Sequence, residues 1–160
     1  NIKQFIPEKG CLVDYENING KGSVKKLLKN NTIRNCEVCA KGGLFMSYIG
    51  RINSFSIKDF MDSREDNYNE LKSPESKKLL KIFEPEQLVL IETAFEGHQI
   101  INEDEDDDDY IDLSELIKNG QPRYYLTVFP DEKERLLHIC KNIIKNKGTF
   151  VWTNRKHTTK

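Results

Sequence analysis

At 160 residues the chain has the length of one domain and can close a hydrophobic core without disulfide or metal staples. Hydrophobic side chains make up 37% and charged ones 32%, with enough Phe, Tyr, Leu and Ile to exclude a disordered tail. No apolar run approaches the roughly 18 residues of a membrane helix, and the opening NIKQFIPEKG has no apolar leader core, so a cytoplasmic chain without membrane contact is expected.

The net charge of -1 hides a segregation. Residues 91–119 carry eleven acidic side chains against one basic, whereas residues 1–60 and 120–160 are both basic. Such a chain attracts its own ends as readily as it attracts a partner. Four cysteines, Cys11, Cys36, Cys39 and Cys140, are too few and too unevenly spaced for a secreted disulfide scaffold, and reduced thiols are expected.

In chain order, SVKKLLKNN (23–31) reads as a short helix capped by Ser23. The block 37–49 (EVCAKGGLFMSYI) fits either a helix or a strand because its small residues weaken both patterns, and a helix is favoured. Residues 50–72 read as a loop with one short element, INSFSIKDFMD. Ser73 and Pro74 open a helix running to about Phe83, and Pro85 separates it from the next, PEQLVLIETAFE (85–96). That helix has Pro85 in its first turn, Leu88, Ile91 and Phe95 on one face, and Gly97 as its stop. Residues 98–111 are expected to form an excursion from the folded body, since adjacent carboxylates repel and offer no face to bury. DLSELIKNG (112–120) is a further short helix.

RYYLTVF (123–129), aromatic and β-branched between Pro122 and Pro130, predicts a strand. A strand needs a neighbour, and 10–15 (GCLVDY) or 149–153 (TFVWT) are the expected antiparallel donors. The strongest element is a helix over 132–147, with Asp131 and Glu134 as a capping box, Leu136, Leu137, Cys140, Ile143 and Ile144 at helical spacing, and Gly148 as the left-handed cap. Together these predict one α/β (α+β) domain spanning 1–160, helix-rich, with a small, mainly antiparallel sheet.

Few motifs carry chemistry. Cys36-x-x-Cys39 has thiol spacing for zinc or redox work, but the second C-x-x-C half is absent. Cys11, Cys140, His98, His138 and His157 stand in no zinc-finger pattern. No metal, no cofactor and two reduced thiols are therefore expected there. NGKGS (19–23) places Lys21 before a helix start, a weak anion site that a turn and an N-cap explain equally well. His138 lies beside the apolar face of its helix and is expected to be half-buried, whereas His98, next to the acid run, is the more plausible titrating group.

The run Glu103, Asp104, Glu105, Asp106, Asp107, Asp108 and Asp109 lacks the central glycine of a calcium-binding EF-hand loop. It also lacks the fixed, unequal environments that catalytic carboxylates need. It repels nucleic acid, so direct nucleic-acid binding is not expected. A solvated loop accounts for it. So does a surface that steers a basic protein partner, with Tyr110 and Ile111 as short-range anchors.

The segments NCEVCAKGGLFMSYI, EQLVLIETAFEG and ERLLHICKNIIKNKGTF resemble small bacterial and phage proteins. Those share a C-x-x-C-A-x-G-small segment, a Q-L-x-x-I-E-x-A-F-E helix and a terminal N-I-I-x-N-x-G-T-F helix. The resemblance implies packing and capping roles for Cys39, Ala40, Gly42, Gly43, Asn142, Asn146 and Gly148, and no catalytic residue. A phage origin would place the chain among small acidic-patched inhibitors or modulators of host proteins, an association from kinship rather than chemistry. The reading favoured by the sequence is a non-enzymatic interaction or regulatory protein docking through residues 103–111. The alternative is a small enzyme or ligand-binding protein using the Cys36/Cys39 region with Lys21, His98 or His138.

Overall fold

The computed structural model describes residues 5–7, 13–15, 36–49, 74–97, 113–117 and 121–153. Within them lie strands β1 (Phe5–Pro7), β2 (Val13–Tyr15) and β3 (Cys36–Val38). Helices α1 (Ala40–Ile49), α2 (Pro74–Leu79), α3 (Pro85–Glu96), α4 (Ser114–Ile117), α5 (Tyr124–Val128) and α6 (Glu132–Lys145) follow.

Helix α3 is the hub. Glu84 is extended at its N-cap, Pro85 occupies the first turn where a missing N–H costs nothing, and Gly97 closes it at φ +82° with its N–H bonded to the Thr93 carbonyl. Leu88 and every residue from Leu90 to Glu96 are buried, with α1, α5 and α6 packed around them. A helix covered on all sides is normally apolar throughout. Buried Glu92, Thr93 and Glu96 are therefore its anomaly.

Helix α6 follows its sequence pattern. The Asp131 side chain accepts from the Glu134 N–H at 2.8 Å, and Leu136, Ile139 and Ile143 enter the core on one stripe. Its end is a Schellman motif: Gly148 N–H bonds the Ile143 carbonyl at 2.9 Å and Lys147 N–H the Ile144 carbonyl at 3.2 Å. Lys147, at φ +57°, occupies the left-handed position expected of Gly148, which follows it at φ +105°.

Two expectations are corrected. Residues 124–128 form helix α5, not the strand 123–129. A helix satisfies its own backbone and puts Tyr125 and Phe129 on one face, where their rings stack with centroids 6.2 Å apart. Tyr125 is fully buried and meets Trp152 edge-on at 4.7 Å. Tertiary packing thus overrides the aromatic β-propensity.

The sheet is also different: it is mixed, in the order β1-β3-β2, with β1 parallel and β2 antiparallel to β3. Val13–Tyr15, within the expected donor 10–15, does form a strand, but Asp14 pairs with Glu37 rather than with the 123–129 segment. The other expected donor, 149–153, has no strand neighbour among the described residues. Side chains bind its backbone instead: Gln87 Oε1 accepts from Phe150 N–H at 2.7 Å, and Tyr125 Oη accepts from Thr153 N–H at 3.1 Å. Asn142 takes both sides of Val151, accepting from its N–H at 2.9 Å and donating to its carbonyl at 2.8 Å. This pinned tail completes the core around Phe150 and Trp152.

Candidate functional site

Cys39 stands immediately before α1, and its Sγ accepts from the Gly42 N–H at 3.4 Å, the geometry of an N-cap. The next donor of that first turn, Lys41 N–H, goes to Glu92 Oε2 of α3 at 3.0 Å. Glu96 lies one turn beyond Glu92, on the same side of α3. One ligand-type atom from each of Cys39, Glu92 and Glu96 lies within 4.8 Å of the other two. The three residues are 0%, 1% and 3% exposed. A thiol and two carboxylates thus meet in the interior, at the positive end of α1.

Burial pushes the Cys39 thiol well above its ordinary range, and the neighbouring Glu92 carboxylate pushes it further; the Gly42 N–H and Lys41 act in the opposite direction too weakly to reverse this. Glu92 Oε1 is buried with no hydrogen-bond partner among the described residues. On the α6 side, Arg135 is 1% exposed. Its Nη1 donates to the carbonyls of Phe129 at 2.8 Å and Pro130 at 3.2 Å, and its guanidinium lies 4.9 Å from the centre of the Phe95 ring. Burial lowers its pKa, countered by the charges of Glu132, Glu96 and Asp131.

The residues expected from sequence fall differently. Cys36 lies on β3. Cys11, Lys21, His98, His157 and the whole run Glu103–Asp109 with Tyr110 and Ile111 lie outside the described residues. His138 is half-buried as expected, with its ring stacked on Phe129 at 4.2 Å and tilted against Tyr125 at 5.6 Å. Cys140 is a second reduced thiol, raised in pKa by burial. It lines an apolar cleft of about 60 Å³ with Pro7, Gly43, Leu44, Leu136 and Leu137.

A Cβ at Gly43 would meet Leu136 and Val38 at 3.7 and 3.8 Å, ordinary contact distances. Among the described residues a close approach is found at Gly97, where a Cβ would collide with Leu126 Cδ1.

Glu92 and Glu96 belong to no cysteine or histidine ligand pattern, so the sequence does not point to them as ligands of Cys39. The available signal was two carboxylates four apart in an otherwise apolar LVLIETAFE. Among the described residues, no helix is long and apolar enough to cross a membrane. Compared with protein families, with curated proteins and with solved structures, the chain matches none.

Proposed function

We propose that this chain is a non-enzymatic, cytoplasmic interaction or regulatory protein that docks a basic patch of a protein partner through residues 103–111. The observation that carries the reading is where the acidic segment is rooted. Its two bordering residues, Gly97 and Leu113, are both buried in the core. Gly97 and Leu113 thus mark where the folded body meets the acidic segment.

The division of the acids supports the same reading. Of the eleven in 91–119, Glu92 and Glu96 are inside the core. The other nine fall within 103–115, and Glu115 is exposed. Their summed field reaches roughly a Debye length, about 8 Å at physiological salt. That range accelerates encounter with a basic surface, while Tyr110 and Ile111 supply contacts that hold it. A small bacterial or phage modulator of a host protein is the kind of molecule this describes.

The test is binding kinetics against a partner captured with the intact chain. The triple variant E103Q/D106N/D108N should associate more slowly and with a shallower salt dependence, while Y110A/I111A should dissociate faster. An unchanged association rate and salt slope in the triple variant would overturn the reading and leave the run a solvated loop.

A further inference from the structure

We propose that Cys39, Glu92 and Glu96 form a binding site for a single divalent ion of the zinc class. The proposal departs from the expectation that Cys39 carries no metal. That expectation rested on missing ligands, and α3 supplies two as carboxylates.

Two independent observations support it. The first is convergence: three side chains from two elements bring ligand atoms within 4.8 Å of one another. Bonds of about 2.0–2.3 Å around a tetrahedral ion set ligand atoms roughly 3.3–3.8 Å apart, so closure takes side-chain shifts of about 1 Å. The second is Glu92 Oε1: the side chain is 1% exposed and its Oε2 accepts from Lys41 N–H, but Oε1 has no hydrogen-bond partner among the described residues. An unmatched buried acceptor of this kind costs free energy that a cation would recover.

The donor set selects the ion. A thiolate with two carboxylate oxygens suits zinc, whereas calcium and magnesium take oxygen ligands in larger number. Thiolate and carboxylates bring three negative charges against the ion's two. The remaining charge faces the N-terminus of α1, where Glu92 already accepts from Lys41 N–H, and Arg135 acts on Glu96 through its charge. On binding, the Cys39 S–H bond breaks, the Sγ–metal bond forms and the proton passes to solvent, so uptake releases protons. Three protein ligands leave the fourth position of a tetrahedral ion to a water, and the ion would stabilise the α1–α3 contact.

The intact chain, stripped with a chelator and dialysed, is titrated with zinc and separately with cobalt. The expected result is one ion per chain, with proton release and a rise in melting temperature. Cobalt should give a thiolate charge-transfer band in the near ultraviolet that persists in Cys140→Ser and vanishes in Cys39→Ser. Glu96→Gln, which keeps the side-chain shape, should weaken binding about 10-fold or more. Folded wild-type chain that takes up less than about one ion per ten molecules would overturn the site without reference to any variant. So would a charge-transfer band that survives Cys39→Ser. Either result would leave Cys39 and Glu92 as caps of α1 alone.

Discussion

Gly97→Ala probes the joint between the core and the acidic segment. The residue sits at φ +82°, in the left-handed region, where a side chain costs about 1–2 kcal/mol. The new Cβ would collide with Leu126 Cδ1 and lie 2.5 Å from Cγ and 3.2 Å from Cδ2. Because Cγ is among the clashing atoms, turning the side-chain tip does not relieve the contact, and overpacking of this kind costs about 1–3 kcal/mol. The lower entropy of the unfolded alanine chain returns about 0.4–1 kcal/mol. The net expectation is a loss of about 1–5 kcal/mol, read as a lower urea midpoint at unchanged slope. A double-mutant cycle with Leu126→Ala separates the parts. The cycle should recover about 1–3 kcal/mol of steric coupling and leave the dihedral cost in place. A Gly97→Ala protein within about 0.5 kcal/mol of wild type, or a strictly additive cycle, would refute the packing of α5 on the end of α3.

Asn142→Ala removes both hydrogen bonds to Val151 and should cost about 2 kcal/mol in the same assay, with early loss of protection at the 150–153 amides by hydrogen exchange. Lys147→Gly should raise stability by about 0.5–1 kcal/mol, since glycine takes the φ of +57° without strain. Gly43→Ala, with only ordinary contacts waiting for its Cβ, should be neutral or stabilising by up to about 1 kcal/mol in urea titration. Burial raises the Tyr125 pKa above 10.0, so its phenol binds its proton more tightly folded than unfolded. That contribution is full below pH 10 and is lost as pH rises toward the folded value, with a slope of about 1.4 kcal/mol per pH unit that Tyr125→Phe should remove.

What the sequence revealed depended on how local the cause was. Helices α3 and α6 were legible because Pro85, Gly97 and Asp131 act within one turn of themselves. The end of α6 was nearly so: Gly148 marked the place, but the bond from Gly148 N–H to the Ile143 carbonyl moves the left-handed residue one position earlier. The 123–129 segment is not legible as a helix because its conformation is decided from outside, by Trp152, Phe150 and the end of α3 around Tyr125 and Leu126. The pairing of 149–153 is not legible for the same reason, its backbone being held by Gln87, Asn142 and Tyr125. The Cys39 cluster needed a contact across 51 positions, from Lys41 to Glu92, which no spacing rule within C-x-x-C supplies.

The docking role of residues 103–111 is tested most directly by hydrogen exchange on the intact chain with and without its captured partner. Protection that appears in peptides covering 103–111, while those of α3 and α6 stay unchanged, is the predicted result. Protection elsewhere on the chain, with 103–111 exchanging as fast in the complex as alone, would contradict it.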